Sequence, residues 1–197
     1  MNSYIIKTFA DLSKSQQRQA AIVFVDGFYL YLKALTKDRD KLIRLFMDTF
    51  SPEHVLVCLH HEEVVGVVGY ATQQGRVHLY DRKVMIRELG WLRGSVMFML
   101  MDRSQTLAAE QCYIESLTTA EDARGKGVAT ALINHILHAV HKKEFILEVF
   151  DTNHEAIRLY ERLGFEVYHS KAKRFFRKKA GYQACHSMRK HHISMQS

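Results

Sequence analysis

The sequence has few of the residues that mark linkers, disulfide frameworks or metal ribbons. Its 197 residues include one proline, Pro52, and three cysteines that lie far apart with no Cys-x-x-Cys pair, Cys58, Cys112 and Cys185. A proline-rich linker, a zinc ribbon and a thioredoxin-like redox site are therefore excluded. The longest apolar run, Val96 to Met101, is too short to span a bilayer. The first residues show no basic segment followed by an apolar run, so a cytoplasmic protein is expected.

Acidic residues are missing from the last part of the chain. The net charge is +7, and the last acidic residue is Glu166. Eight basic residues follow it, so residues 1–166 carry 20 basic and 21 acidic residues, a net charge of −1. Such a basic block can attract phosphates, nucleic acid or an anionic surface. It can equally be a solvated basic surface, and both interpretations stay open here.

Length and composition are those of an ordinary globular domain. The hydrophobic fraction is 47% and the charged fraction 25%, and we find no internal repeat or low-complexity segment. We expect a single domain over residues 1–190, followed by a flexible tail over 191–197.

Hydrophobic periodicity predicts the elements of the first half. Strands are predicted over 4–9, 54–59 and 64–72, the last two joined by a polar turn. Helices are predicted over 14–26, 28–35 and 38–50. The segment 76–110 is harder to assign, but its apolar spacing favours helices. Its methionines are interpreted as core filling, and they stand at positions 85, 97, 99 and 101.

The second half has clearer periodicity. Residues 111–119 alternate as a strand does, with Tyr113, Glu115 and Leu117 expected on one face. Helices are predicted over 127–141, which is strongly amphipathic, and over 153–163, which Gly164 ends. Further strands are predicted over 145–150, 165–169 and 182–188. This alternation of strands and helices predicts a mixed sheet domain, α/β or α+β.

A glycine-rich turn between a strand and a helix is the first chemical signal. It runs Arg124-Gly125-Lys126-Gly127 and opens the helix predicted over 127–141. A helix N-terminus offers unpaired amides and a partial positive charge, so this turn can cradle an anion such as a phosphate. A P-loop requires Ser or Thr after the lysine, but Gly127 follows Lys126. A dinucleotide-binding fingerprint requires a third small residue three positions after Gly127, but Thr130 stands there. Neither motif fits, so an NTPase and a nicotinamide enzyme are disfavoured.

Two sequence blocks carry a resemblance to a known family. The turn matches the pattern Gln/Arg-x-x-Gly-x-Gly/Ala at Arg124, Gly127 and Ala129. A second block, Asn-x-x-Ala-x-x-x-Tyr-x-x-x-Gly-Phe, is matched over residues 153–165 at every specified position. Together they resemble the GNAT superfamily of N-acetyltransferases. The resemblance covers residues 54–75 and 111–190 well, and it implies an α+β fold with a central, mostly antiparallel sheet flanked by helices. The segment 76–110 departs from a minimal member as an insertion.

The resemblance implies a co-substrate, acetyl-CoA, and residues that hold it. Its pyrophosphate would lie on the turn, and its pantetheine arm would pair with the central strand at Leu117, Thr118 and Thr119. Asn153 would hold it from the next turn, and Tyr160 would lie near the sulfur. The resemblance implies that seven residues of the turn and the helix start contact the co-substrate: Arg124, Gly125, Lys126, Gly127, Val128, Ala129 and Thr130. The basic cluster Arg174 to Lys179 could also reach the phosphates of coenzyme A, although the family pattern has no firm match there.

The implied reaction moves the acetyl group of acetyl-CoA to a primary amine by direct attack. An ammonium must first lose a proton, and Glu115 or an ordered water can accept it. Tyr160 can act as the donor to the leaving thiolate, and a strand amide can stabilise the oxyanion. Glu115 is alternatively a structural strand carboxylate, Tyr160 a core residue and Asn153 a helix cap. The histidines at 135, 138 and 141 share a helix face without an evident carboxylate, so no metal is predicted.

Other functions remain as alternatives at this point. One is an acyl-CoA sensor without turnover, and another is a basic nucleic-acid-binding module, which is disfavoured because the rest of the chain is nearly neutral. No membrane partner is expected, and a homodimer is possible. The acceptor pocket is expected from residues 24–33 and 76–110, whose aromatic and methionine content favours a small or partly apolar amine.

Overall fold

A computed structural model describes residues 4–101, 106–172 and 184–191 of the chain. The described residues form a seven-stranded sheet in the order β1-β2-β3-β4-β5-β7-β6. All neighbouring strands are antiparallel except β4 and β5, which are parallel. The strands are β1 (Ile5–Thr8), β2 (Val55–His60), β3 (Glu63–Ala71), β4 (Gln111–Thr119), β5 (Glu144–Phe150), β6 (Glu166–Ala172) and β7 (Ala184–His191).

Helices flank this sheet, and the expected mixed α+β fold is confirmed. The helices are α1 (Lys14–Leu32), α2 (Arg39–Thr49), α3 (Arg82–Leu89), α4 (Trp91–Met101), α5 (Val128–Ala139) and α6 (His154–Arg162). Short 3-10 turns lie at Phe9–Asp11 and Glu121–Ala123. No helix among the described residues is long and apolar enough to cross a membrane.

The sheet separates two hydrophobic cores because strand side chains alternate between its faces. In β2, Val55, Val57 and Leu59 belong to a first core with α1 and α2, while Leu56 and Cys58 belong to a second core with α5 and α6. The second core also receives the apolar stripe of α5 and the inward residues of β5. The amphipathic pattern predicted over 127–141 thus places α5, which begins at Val128, on the sheet.

The first helix is one element rather than two. Helices were predicted over 14–26 and 28–35, but α1 runs unbroken from Lys14 to Leu32, and Ser13 and Gln16 form its capping box. Gly27 lies inside the helix with helical geometry, so it does not end it. A β-carbon added at Gly27 would lie 2.0 Å from Thr118 Oγ1. The glycine therefore marks a close approach of α1 to β4 and not a helix boundary.

Replacing Gly27 tests this approach. Gly27→Ala is expected to lower the free energy of unfolding by about 1–2 kcal/mol, because overpacking outweighs a gain of about 1 kcal/mol in helix propensity. Chemical denaturation measures the change. The double variant Gly27→Ala/Thr118→Ala should recover part of the loss, since the hydroxyl and methyl groups that crowd the new β-carbon are gone. A Gly27→Ala variant more stable than wild type would contradict this packing.

The segment 76–110 forms two helices, as its apolar spacing predicted. Asp81 caps α3 by accepting from the amides of Lys83 and Val84. Glu88 of α3 is buried and accepts hydrogen bonds from Arg44 of α2 at 3.0 Å and from Arg87 at 2.7 Å. This ion pair fixes the insertion to α2.

The interpretation of the methionines as core filling holds only in part. Met85 is fully buried, and Met97 and Met101 pack on the first core while partly exposed. Met99, by contrast, is 74% exposed. The reason is that α4 packs through one side only, so its other side faces outward.

The central strand β4 contains a bulge that changes the predicted side-chain alternation. Ser116 has a positive φ of 61°, and Ser116 and Leu117 together stand opposite Val68 of β3. An extra residue shifts the alternation by one position. Leu117 therefore packs on the second core, while Thr118 faces α1. The expectation that Tyr113, Glu115 and Leu117 share a face was wrong for Leu117.

The last strand lies later in the chain than predicted. Residues 182–188 were expected, and β7 is described from Ala184 to His191. His191, assigned to the tail, pairs with Glu144 of β5. Residues 192–197 and the basic cluster Arg174 to Lys179 lie outside the described residues.

Candidate active site

The sheet opens between its two parallel strands. Residue pairing of β4 with β5 runs from Gln111 and Glu144 to Ile114 and Leu147, and no pair is formed beyond that point. A cleft of about 1180 Å³ begins there and extends to the N-terminus of α5. The β5-facing edge of β4 after Ile114 is therefore available to a ligand.

The glycine-rich turn forms one end of this cleft. Gly125 and Gly127 have positive φ values of 71° and 87°, and no atom lies within 4 Å of a β-carbon added at either. Gly127 caps α5 without a side-chain hydrogen bond. Among the described residues, the first backbone hydrogen bond of α5 is donated by the Ala131 amide to the Gly127 carbonyl. The preceding amides are left for an anion, and they belong to Gly127, Val128, Ala129 and Thr130.

Lys126 differs from its neighbours in the turn. Arg124, Gly125 and residues 127–130 line the cleft, whereas Lys126 does not. Its carbonyl accepts a 2.8 Å hydrogen bond from the Tyr4 hydroxyl, before β1. The backbone of Lys126 is therefore held outside the cleft by its hydrogen bond to Tyr4. Tyr4 was not singled out from the sequence, because a contact across 122 residues leaves no local signal.

Glu115 lies where β4 and β5 separate. Its side chain lines the cleft and has no hydrogen bond or ion pair with any described residue. Burial raises its pKa to about 7, because the ionised carboxylate loses contact with water. Glu115 also contributes to the raised pKa of Tyr80, whose main cause is burial. The group is therefore poised to exchange a proton near neutral pH.

Tyr160 and Asn153 enter the cleft from α6. Tyr160 is 8% exposed, its ring lies 6.1 Å from that of Phe165, and burial raises its pKa to about 12. Its hydroxyl has no hydrogen-bond partner among the described residues. Asn153 caps α6 by accepting from the amide of Ala156 at 3.2 Å, and it also lines the cleft. The cap interpretation and a ligand contact are thus compatible for Asn153.

The remaining predicted residues of β4 line the cleft from different faces of the sheet. Leu117, Thr118 and Thr119 all line the cleft. Thr118 also packs on Gly27, while Leu117 contacts the second core through its side chain. The backbone of this segment, rather than one row of side chains, borders the opening.

Several cleft residues were missed by sequence reasoning. The expected acceptor segment 24–33 does supply Gly27, Phe28 and Tyr31, but no described residue of 76–110 lines the cleft. The insertion packs against α2 and the first core instead. The residues not singled out include Glu148, Phe150, Glu155, Arg158, Arg162 and Cys185. Arg158 and Arg162 are spaced by one helical turn inside the family block, a pattern that marks one face.

Positive charge in the cleft comes from described arginines. Arg124 of the turn and Arg158 and Arg162 of α6 line it. No group of three or more His, Cys, Asp or Glu in the described ranges is arranged to hold a metal ion.

Comparison with known proteins identifies the family. The model of the acetyltransferase (GNAT) family matches residues 24–165, which is more than half of the chain. The protein therefore belongs to the GNAT acetyltransferase family, an acyltransferase family that uses acyl-CoA as co-substrate. No curated protein matches the chain.

Solved structures share the fold over nearly the whole chain. A Corynebacterium glutamicum protein described as a histone acetyltransferase and related acetyltransferase has 18% identity and a TM-score of 0.65, with 99% of each chain covered. A GCN5-related N-acetyltransferase from Kribbella flavida has 16% identity and a TM-score of 0.60, covering 96% of this chain and 98% of its own. The ribosomal-protein-S18-alanine N-acetyltransferase from Escherichia coli has 12% identity and a TM-score of 0.58, with 99% of each covered. Identities this low show the fold alone.

Proposed function

We propose that the protein is an N-acetyltransferase that moves the acetyl group of acetyl-CoA to a primary amine of a small acceptor. One observation carries the proposal: the opening between β4 and β5 connects the unused amides of α5 with Glu115 and Tyr160. An anion site, an open strand edge and two ionisable side chains are the parts that acyl transfer from a thioester needs.

The residues present fit acetyl-CoA. Its pyrophosphate would rest on the amides from Gly127 to Thr130, where no side chain blocks approach. Its pantetheine amides would pair with the open edge of β4 after Ile114, in the place of another strand. Arg158 and Arg162 would attract the remaining phosphate charge.

Glu115 and Tyr160 take complementary roles in this proposal. Glu115 accepts a proton from the acceptor ammonium, which frees the nitrogen lone pair. A nitrogen–carbon bond then forms at the acetyl carbonyl, and the nitrogen releases its second proton to solvent. The carbon–sulfur bond breaks, and coenzyme A leaves as a thiolate. The bulge at Ser116 leaves strand amides free of regular pairing to stabilise the oxyanion.

The raised pKa of Tyr160 defines what it contributes. A hydroxyl with a pKa of about 12 stays protonated at neutral pH and remains a hydrogen-bond donor. Since a free thiol has a lower pKa of about 8.5, full transfer of this proton to the thiolate is uphill. Tyr160 therefore stabilises the departing sulfur by donating a hydrogen bond, and the thiolate is protonated from solvent.

A panel of acceptors tests the proposed function. Primary amines of different charge and size are mixed with acetyl-CoA and the protein, and free thiol and N-acetylated product are quantified. Equal amounts of both, dependent on the added amine, are expected. Binding of acetyl-CoA without turnover of any amine would instead favour the sensor alternative, and absence of binding would contradict both.

The bond between Tyr4 and the glycine-rich turn gives a separate prediction. Tyr4→Phe removes the donor to the Lys126 carbonyl, so the turn loses one support. The KM for acetyl-CoA is expected to rise about fivefold with kcat nearly unchanged, matching a loss of about 1 kcal/mol. Steady-state kinetics measures both constants. Tyr29→Phe is the matched control, since the Tyr29 hydroxyl also donates to a carbonyl, that of Lys37, away from the turn. Equal effects of the two variants would refute the assignment.

A further inference from the structure

Two carboxylates lie side by side where the strands separate. Ile114 pairs with Leu147, so the next residues along the parallel strands are Glu115 and Glu148. Ile114 and Leu147 both belong to the second core. Because side chains alternate, Glu115 and Glu148 both project to the opposite face of the sheet, where Glu115 is partly buried and Glu148 is exposed. Both line the cleft.

Neither carboxylate is neutralised by a basic side chain of the described residues. Glu148 accepts a hydrogen bond from Ser187 Oγ at 3.4 Å and lies 3.9 Å from Cys185 Sγ, both on β7. These neutral partners orient Glu148 but leave its charge uncompensated. Ionised carboxylates on one face of a cleft favour a cationic ligand there.

Aromatic rings form the wall around these carboxylates. Phe28 and Tyr31 of α1 line the cleft, and the Tyr31 ring lies 5.6 Å from that of Phe150, at an angle of 34°. Aromatic faces attract ammonium groups and pack against methylene chains. The Tyr160 hydroxyl, without a described partner, enters the same cleft from the second core, where it can donate to a polar atom of a ligand.

We infer that the acceptor is a small dicationic amine, with its reacting nitrogen at Glu115 and its second ammonium at Glu148. The methylene chain between them lies against Tyr31 and Phe150. This inference rests on the proposed function and extends it to a substrate class. It replaces the expectation of a small or partly apolar amine over a highly charged one, since Glu148 lies outside the segments on which that expectation was based. Glu148 acts in substrate selection and takes no part in proton transfer.

Matched acceptors test the inference. Wild-type protein and acetyl-CoA are supplied with 1,5-diaminopentane, pentylamine or 5-aminopentanoate, which share chain length but differ in the far group. The expected kcat/KM for the diamine is about tenfold above that for pentylamine, and the carboxylate is the poorest acceptor. Equal values for diamine and monoamine, or a preference for the carboxylate, would overturn the inference while the proposed function stands.

Variants of Glu148 separate selection from structure. Glu148→Gln is expected to bring the diamine-to-pentylamine ratio of kcat/KM near one, through a rise in KM that is larger for the diamine than for pentylamine. Glu148→Asp should retain part of the preference because the charge remains. Glu161→Gln, on the exposed side of α6, is the control for a change of one charge. An unchanged ratio in Glu148→Gln would overturn the role of this residue.

Calorimetric binding of the amines distinguishes failure of the acceptor inference from failure of the proposed transfer reaction. The same diamine and monoamine are titrated calorimetrically into the protein saturated with coenzyme A, which carries no acyl group. Tighter binding of the diamine without turnover of any amine would support the inference and contradict the proposed transfer reaction. Equal binding of the two amines would overturn the inference whatever the kinetics.

Discussion

Glu115→Gln is expected to lower kcat/KM for the acceptor about 100-fold, the usual size of a general-base contribution. The amide keeps the shape of the side chain but cannot accept the proton. Binding of acetyl-CoA should remain close to wild type, because Glu115 lies at the acceptor end of the cleft. Steady-state kinetics with varied acceptor at saturating acetyl-CoA and a calorimetric titration of acetyl-CoA measure the two effects.

The pH dependence of the reaction identifies the base. With a pKa of about 7, Glu115 is ionised, and so active, in a fraction that rises as pH increases through 7. Wild-type kcat/KM should therefore rise between about pH 6 and 8 with an inflection near 7. This inflection should vanish in Glu115→Gln, leaving only the ionisation of the acceptor. An unchanged inflection in the variant would show that an ionisable group other than Glu115 accepts the proton.

The same pKa predicts an effect on stability that needs no substrate. The Glu115 carboxyl binds its proton more tightly in the folded state, with a pKa of about 7 against an ordinary value of 4.5. The folded state therefore binds more protons between these values, and the free energy of unfolding falls as pH rises through that window. Glu115→Gln removes this penalty. The difference in the free energy of unfolding, variant minus wild type, should therefore be up to about 3 kcal/mol larger at pH 8 than at pH 4. Denaturation at the two pH values measures this.

Gly127→Trp is expected to weaken acetyl-CoA binding more than 100-fold. Gly127 caps α5 with φ of 87°, and its amide is the first of those left free for an anion. A large side chain at this position occupies the approach to these amides and strains the left-handed backbone. Equilibrium titration of acetyl-CoA measures the loss.

Gly90→Trp is a matched control for this variant. Gly90 also has a positive φ, 85°, and also has no atom within 4 Å of an added β-carbon, but it lies between α3 and α4, away from the cleft. Its ψ of 161° at this φ is reached almost only by glycine, so Gly90→Trp should carry at least as much backbone strain as Gly127→Trp and still bind acetyl-CoA normally. Equal loss of binding in both variants would attribute the effect to destabilisation rather than to the site.

Local signals explain why much of the fold was predictable. The apolar stripe of α5 and the cap and stop of α6 are periodic or short-range patterns, and both helices formed within two residues of their predicted ends. The helices of the insertion were likewise indicated by spacing. The continuity of α1 was not, because Gly27 has the sequence appearance of a break and its reason lies in Thr118.

The site was predictable where it lies in contiguous motifs. The turn from Arg124 to Thr130 and the block containing Asn153 and Tyr160 resemble family patterns, and the structure brings all of them except Lys126 to one cleft. Glu148 was missed since only the register of β4 and β5 places it next to Glu115, whereas Tyr31 lies in the expected segment 24–33. The bulge at Ser116 was missed because its positive φ belongs to a serine, which carries no such preference.

Titration of acetyl-CoA into the wild-type protein tests the central claim most directly. The account predicts saturable binding of one molecule per chain, lost in Gly127→Trp and retained in Gly90→Trp. Absence of binding to the wild type at millimolar acetyl-CoA would contradict the proposed cleft, the reaction and the acceptor inference together.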